Sequence, residues 1–518
     1  EVLRHLQEMP GEAEKSVKIR TLTINNRSEV IVKVVHEVLN LFKVEIVGRT
    51  EEADYAQLSV VNRPSGSEPP SVMTEVWLYA LDGRSEHLSF SSDGRMDELP
   101  RAAVHRAAKR NLYEFFRVRF ALPPAPWGIL HGVRPTKIVH RWLRGGMTPD
   151  AAVQRLQEDY FCSAEKARLM TEVAVRQLPF LAHEDARTVG IYVGIPFCLS
   201  RCLYCSFPSH LLPGEKTLCT FMDVLAHDLA AAAEDVRTLG LTIGCIYIGG
   251  GTPTSLPDVF FAEMLKMVYN AFYGSSVREF TVEAGRPDSM SAAKITAMKA
   301  YRVTRVSVNP QSMQERTLER IGRHHTPSDI VRMVQEIRAS MNVHINMDVI
   351  LGLPGETEED VRTTMTAVTA LRPDDITLHA LALKRGSRLR LMMETEHVAL
   401  PSDAETMRMG AAATAAVRAA GYHPYYLYRQ GYMSGDLENV GYARPGAESM
   451  YNVQIMEEQQ TIIGIGGAAT TKVIGVRGDR MRSVFNAKDL TTYLRDIDVY
   501  IEKRRALLRG EYEEEPRC

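Results

Sequence analysis

The chain has 518 residues, 45% of them hydrophobic and 24% charged, a globular composition with material for roughly two to four domains. A formal net charge of −2 argues against nucleic acid or an anionic membrane as the main partner, and no apolar run of roughly 18 residues marks a transmembrane helix. The start shows no signal-peptide apolar core, so the seven cysteines are expected in a reducing, cytoplasmic setting, where clustered thiols hold metal more often than they pair.

Residues 1–120 read as a small α+β domain. Strands are expected at 16–25 and 55–61, a hairpin over 75–91 around Asp82-Gly83, and an amphipathic helix over 97–120. A Pro- and Gly-rich break at 121–150 opens a helical linker region, 121–186. Its Arg134, Lys137, Arg141 and Arg144 read as a solvated basic face, with an anion-contacting surface as the alternative. From 187 to 400 the rhythm is βα. Strand-like runs at 188–195, 243–250, 278–284, 303–309, 343–351 and 374–383 alternate with helical patterns. Six such units imply an α/β fold, an open partial (β/α)6 barrel with functional residues at the C-terminal strand ends. Residues 401–518 read as a C-terminal α+β extension. It comprises an Ala-rich helix (403–420), an aromatic strand (422–430), two short strands around a glycine turn (460–476) and a charged last helix (487–508).

The first barrel strand runs into "YVGIPFCLSRCLYCSFPSH" (192–210), which packs Cys198, Cys202 and Cys205 into eight residues. Thiolates bind soft metals and iron–sulfur clusters. Three cysteines on a [4Fe–4S] cluster leave one iron open to a small molecule, as a catalytic cluster requires. The alternative is a closed zinc site with His210 as fourth ligand. One βα unit later, "YIGGGTPTSL" (247–256) ends a strand on three glycines, which permit close backbone approach to a ligand.

These two motifs together resemble the radical S-adenosylmethionine (SAM) enzymes, and more narrowly the oxygen-independent coproporphyrinogen III oxidase family. "TVEAGRPD", "NPQSMQERTLERIGRHHT", "NMDVILGLPGE" and "ENVGYARPGAES…GIGGAATT" extend the likeness over residues 190 to about 475. The N-terminal extension and the "RPTK" and "HALALKRGS" stretches look closest to the HemZ branch. The resemblance implies that Cys198, Cys202 and Cys205 hold a [4Fe–4S] cluster whose fourth iron takes SAM. It implies SAM contacts from Tyr192, Tyr204, Gly250, Gly251, Thr252, Glu283, Gln311, Arg323, Asp348 and Ala382, with Tyr192 and Glu283 also catalytic candidates. His379, placed in the sixth strand where it can face the barrel interior, is a further catalytic candidate read from its position.

The implied reaction is oxidative decarboxylation of two propionates of coproporphyrinogen III to vinyl groups, giving protoporphyrinogen IX. An external electron donor such as flavodoxin or ferredoxin and a monomeric state are implied with it. Lys384, Arg385, Arg429 and Arg444 are candidates for the substrate's carboxylates. One position departs from the oxidase pattern: the well-characterised oxidases carry a further Cys where this chain has Phe207. A haem chaperone and a radical SAM enzyme with another substrate are therefore the alternatives. Haem chaperones of this fold tend to carry His where this chain has Tyr451, which favours an enzyme over a haem carrier. His324 and His325 are read as a polar segment before a Thr326 N-cap rather than as ligands, and Cys162, Cys219, Cys245 and Cys518 as bystanders.

Overall fold

The computed structural model describes residues 17–24, 28–121, 124–181, 185–383, 387–395, 398–429, 437–474 and 481–512. It divides into two compact units. One comprises residues up to Gly132 together with Trp142–Thr171, and the other Val133–Arg141 together with the chain from Glu172 on, so the stretch 121–186 is shared between them.

In the first unit β1 (Lys18–Ile24), β2 (Glu45–Ile46), β3 (Tyr55–Pro64), β4 (Ser71–Ala80) and β5 (Ser85–Asp93) form a sheet ordered β2-β1-β3-β4-β5. β1 runs parallel to both its neighbours, and β3, β4 and β5 pair antiparallel. Alternation along the strands sends Leu58, Val60, Val76 and Leu78 to one face, against Val35, Val38 and Leu39 of helix Glu29–Leu41 and Leu112, Phe115 and Phe116 of helix Pro100–Phe120. The first of these helices is absent from the sequence reading. Its "EVIVKVV" run is rich in β-branched residues, which favour strands, yet Ile31, Val34, Val35 and Val38 fall on one buried helical stripe.

The second unit is built on one eleven-stranded sheet. Its middle is parallel: β6 (Thr188–Ile195), β9 (Thr242–Gly250), β10 (Glu279–Glu283), β11 (Arg305–Ser307), β12 (His344–Leu351) and β13 (Asp375–Ala380) lie side by side in that order. A separate two-stranded ladder pairs β7 (Phe197–Cys198) with β8 (His210–Leu211). Strands buried on both faces carry near-continuous apolar runs, as in "TVGIYVGI". Thr326 and Thr357 open two of the intervening helices with capping boxes completed by Asp329 and Asp360.

The C-terminal chain extends this sheet at both ends. β14 (His423–Tyr428) and β15 (Asn439–Ala443) add antiparallel beyond β13. β16 (Thr461–Gly466) joins parallel to β6 and is followed by antiparallel β17 (Thr470–Ile474) and β18 (Met481–Phe485). Among the described residues the sheet keeps two edges and forms no closed barrel. The last helical stretch is two helices, Leu490–Arg495 and Ile497–Tyr512. Fully buried Arg504 docks the second of them on Asp228 (2.6 Å), whose carboxylate also takes the Gly466 N–H and the Tyr493 hydroxyl.

Helix Met450–Glu457 closes the N-terminal end of the barrel. Glu279, at the start of β10, accepts from Ser449 Oγ and from the Met450 and Tyr451 N–H groups at 2.9–3.2 Å, which caps that helix. Buried Arg305 pairs with Glu279 and Asp375 and donates to the Ala447 carbonyl, while the Tyr425 hydroxyl donates to Asp375. Burial pushes the Asp375 carboxyl up to about 7 even with Arg305 beside it. Among the described residues no helix is long and apolar enough to cross a membrane.

Candidate active site

The cysteine loop leaves β6 and is held at its base by the β7–β8 ladder. His210 N–H donates to the Pro196 carbonyl (2.7 Å) and Leu212 N–H to the Cys198 carbonyl (3.0 Å). Inside the loop Cys205 N–H turns back to the Cys202 carbonyl, and Leu203 is fastened on both sides by backbone bonds to Ile321 and Leu389. Cys198, Cys202 and Cys205 line a cavity of about 140 Å³, several times the roughly 30 Å³ share of one water molecule.

The same cavity is lined by Tyr204, Gly251, Thr252, Glu283, Gln311 and Arg323. Tyr204 belongs to the cysteine loop, Gly251 and Thr252 follow β9, Glu283 ends β10, and Gln311 lies just beyond β11. Arg323 sits between helices Glu315–Arg320 and Pro327–Ser340, so most of the lining gathers at the C-terminal side of the strands. Gly251 sits hard against the loop. A Cβ there would lie 2.5 Å from the Phe197 carbonyl oxygen and 3.0 Å from Cys198 Sγ. A Cβ on Gly249 would lie 2.8 Å from Glu283 Cδ, so that glycine makes room for the carboxylate. Thr252 Oγ1 approaches Cys198 Sγ at 3.6 Å.

Glu283 accepts from Gly250 N–H (3.1 Å) and from the Tyr247 hydroxyl (2.5 Å). Burial and the nearby Asp348 push its carboxyl up to about 7, although Tyr247 works against the shift. Gln311 is held in the left-handed region (φ +64) by a bridge to β12, its N–H on the Asp348 carbonyl and its carbonyl taking the Ile350 N–H. Such a backbone costs a non-glycine residue on the order of 1–3 kcal/mol, which the two bonds to β12 offset here. Arg323 reaches the Gly285 carbonyl (3.0 Å) and the Tyr204 hydroxyl (3.4 Å).

Other predicted residues lie beside the cavity rather than on it. Tyr192 faces the barrel interior and stacks with Tyr247 (6.1 Å) and Tyr451 (6.4 Å), the last two being 4.2 Å apart. Asp348 pairs with His379 Nε2 (3.7 Å) and accepts from Asn346 (2.9 Å). Burial opposes its charge, yet His379, Asn346 and Thr377 hold it below the usual carboxylate range. His379 Nδ1 meets Asn439 Oδ1 (3.3 Å) and the Tyr428 hydroxyl (3.4 Å). Ala382 is half-buried just after β13.

Several expectations need correcting. His210 is not a fourth ligand beside the thiols. Its Nε2 meets the Lys488 carbonyl at 3.0 Å, and among the described residues no three His, Cys, Asp or Glu side chains are set for a single metal ion. Arg444 is not at the barrel mouth. Strand β15 runs antiparallel to β13, which returns Arg444 to the opposite end, where its N–H bonds the Asp374 carbonyl and its guanidinium lies over Tyr422. Arg134 and Lys137 do not form a free anion surface, because both pair with Glu458. Arg429 follows Tyr428 on the mouth side. Lys384 and Arg385 lie outside the described residues. His324 is exposed, and burial pushes His325 down to about 4.

The sequence reading missed Tyr247, Arg286 and Asn309. Tyr247 was legible from alternation, since it shares a face with Gly249. Asn309 and Arg286 stand in the quoted "NPQS" and "EAGRPD" strand-end motifs.

The donor set fits a cluster with a bound zwitterion. Among the described residues three thiols face one cavity with no fourth His or Cys lining it, and buried Gln311 Oε1, Asn309 Oδ1 and Arg323 Nε have no hydrogen-bond partner. Each such orphan costs roughly 1–3 kcal/mol unless a ligand satisfies it. A carboxylate, amides and a guanidinium are the groups that would grip the ammonium and carboxylate of an amino acid.

Thiols at the mouth of an open α/β barrel, with a carboxylate, amides and a guanidinium around the same cavity, are the arrangement that a radical SAM enzyme requires. The Radical SAM superfamily model matches residues 192–368. The oxygen-independent coproporphyrinogen-III oxidase-like protein HemZ of Bacillus subtilis is 38% identical over 394 residues, 75% of this chain and 78% of that protein. The haem chaperone HemW of Mycobacterium tuberculosis is 30% identical over 283 residues, 54% of this chain and 68% of that one. The solved coproporphyrinogen III oxidase HemN of Escherichia coli shares the fold, with a TM-score of 0.50 at 21% identity over 63% of this chain and 72% of that one. The chain belongs to the radical SAM family of HemZ and HemW, and that family works with a [4Fe–4S] cluster and SAM.

Proposed function

We propose that the protein oxidatively decarboxylates two propionates of coproporphyrinogen III to vinyl groups, giving protoporphyrinogen IX without oxygen in haem biosynthesis. The observation that carries this over the chaperone reading is Tyr451. At the place where the chaperones of this fold carry His, its ring is buried and stacked 4.2 Å from Tyr247, beneath Glu283. It offers no imidazole for haem iron.

Cys198, Cys202 and Cys205 would hold the cluster, and Glu283, Gln311 and Arg323 the amino-acid end of SAM. The reduced cluster with SAM supplies hydrogen-atom abstraction when bound. The chain's own residues orient the reactants and exclude water from the site. Tyr247 orients Glu283 by its hydroxyl, and Gly250 N–H fixes the other oxygen. Asp348, His379 and Tyr428 form a polar group on the neighbouring strands, which this reading assigns to the substrate's side of the site. An external one-electron donor such as flavodoxin or ferredoxin, a cytoplasmic setting and a monomeric state complete the reading, with neither nucleic acid nor membrane as partner.

Glu283 gives the site a pH dependence. Its pKa near 7 means the carboxylate that pairs with the SAM ammonium is half-formed at neutrality and fully formed above it. SAM affinity is therefore expected to rise as pH increases from 6 to 8. Glu283→Gln is expected to weaken SAM binding about tenfold to a hundredfold, the loss of a charge-assisted hydrogen bond worth about 1.5–3 kcal/mol, and to flatten the profile. Equilibrium SAM binding across pH checks both.

The function is tested by anaerobic incubation with SAM, a strong reductant and coproporphyrinogen III. Protoporphyrin after oxidation supports the proposal. Stoichiometric haem binding without SAM cleavage replaces it with the chaperone reading, to which the likeness to HemW points. SAM cleavage without porphyrin turnover replaces it with another substrate.

A further inference from the structure

The turn after β10 reaches across to the cysteine loop twice. Arg323 bonds its Gly285 carbonyl and the Tyr204 hydroxyl. Arg286 makes the second connection. It is 4% exposed and uses four of its N–H donors. Nε and Nη2 fork onto the Asp288 carboxylate at 3.0 and 2.7 Å, Nη1 donates to the Ser200 carbonyl at 2.9 Å, and Nη2 donates to Ser200 Oγ at 2.8 Å. Ser200 and Tyr204 bracket Cys202, so one turn pins the loop on both sides of the middle thiol. Arg286 also lines the cavity, and nothing in the proposed reaction assigns it a task.

We infer that Arg286 is a positioning residue that sets the spacing of Cys198 and Cys202 before the cluster binds, by tying Ser200 to Asp288 at the end of the third barrel strand. The inference rests on the reading of this loop as the cluster site. The physical reason is the shape of the guanidinium. A planar fork can hold a carboxylate on one edge and a carbonyl and hydroxyl on the other, and the three-donor point charge of Lys cannot reproduce that geometry. Asp288 fixes the fork's orientation, and its partly exposed charge offsets the buried cation, so the role is geometric more than electrostatic. A loop already in the ligating conformation spends less of the cluster's binding energy on ordering itself.

The test uses the anaerobically reconstituted full-length protein and reads cluster retention rather than turnover. The rate of iron loss to a chelator and the electron paramagnetic resonance spectrum of the reduced cluster are compared for wild type, Arg286→Gln, Arg286→Lys, Ser200→Ala and the Arg286→Gln/Ser200→Ala double variant. Expected are about tenfold faster iron loss in both Arg286 variants with an altered spectrum, a smaller acceleration in Ser200→Ala, and a double variant no worse than Arg286→Gln alone, since the two substitutions break one connection. Full retention in Arg286→Gln would overturn the inference. So would wild-type behaviour in Arg286→Lys, which would make the role one of charge, or additive losses in the double variant. Circular dichroism and the thermal transition of each variant separate unfolding from a loosened loop, and Ser200→Ala carries the test if the arginine variants unfold. Failure of the wild-type protein to take up iron would instead count against the cluster reading itself.

Discussion

Gly251→Ala is expected to abolish iron–sulfur cluster binding while leaving the fold in place. The added methyl carbon would lie 2.5 Å from the Phe197 carbonyl oxygen and 3.0 Å from Cys198 Sγ. Neither atom can yield cheaply. The Phe197 carbonyl accepts the Thr252 N–H (2.7 Å) and the Ser255 hydroxyl (3.1 Å), and Phe197 and Cys198 are both buried in the β7–β8 ladder. The strain is relieved only by moving the base of the cysteine loop away from the end of β9, which displaces the first thiol. Ligating geometry must hold to about half an ångström, so the displacement removes the site. Iron and sulfide analysis after anaerobic reconstitution is expected to read near zero for this variant, with circular dichroism unchanged. Gly274→Ala serves as the control, since a Cβ there meets nothing within 4 Å. A full cluster complement in Gly251→Ala would show that the contact between β9 and the loop does not control the site.

Arg305→Met is expected to destabilise the barrel by about 3–5 kcal/mol, the usual cost of breaking a buried ion pair from one side. Glu279 and Asp375 flank Arg305 and are themselves buried, so its removal leaves two buried carboxylates at the barrel floor without their shared cation. Glu279 also caps helix Met450–Glu457, whose Tyr451 supports Tyr247 and through it Glu283. Loss at the floor is therefore expected to weaken SAM binding as well as stability. Denaturant unfolding followed by tryptophan-independent circular dichroism measures the first effect. Arg305→Met combined with Asp375→Asn is expected to recover part of the loss, because one of the two orphaned carboxylates is then removed and Glu279 keeps its N–H donors from helix Met450–Glu457. An effect under about 1 kcal/mol for Arg305→Met would contradict the assignment of the floor as a coupled charge network.

The parallel strands were legible because burial on both faces writes them as apolar runs, and the turn glycines and cysteines that follow them fall at fixed strand ends. That is why residues as far apart as Cys198, Thr252, Glu283 and Gln311 could be placed together from motifs and are found around one cavity. What escaped was information held by direction and by facing rather than by residue type. β15 is a five-residue strand containing glycine, "NVGYA", and its antiparallel entry reverses the end at which Arg444 sits. Helix Glu29–Leu41 was hidden by its β-branched composition. Tyr247 and Arg286 are ordinary residue types, and only the register of β9 against β10 and the fold of the turn after β10 give them partners. His210 shows the converse. Its spacing from the cysteines suits zinc, yet the parallel β7–β8 pairing carries its ring to Lys488.

The most direct measurement is Mössbauer spectroscopy of protein reconstituted anaerobically with ⁵⁷Fe, recorded before and after SAM is added. A cubane bound through three thiolates with one corner reserved for the cofactor predicts that a single iron in four changes its isomer shift when SAM arrives. Four irons that ignore SAM, or a loop loaded with zinc, would contradict the account.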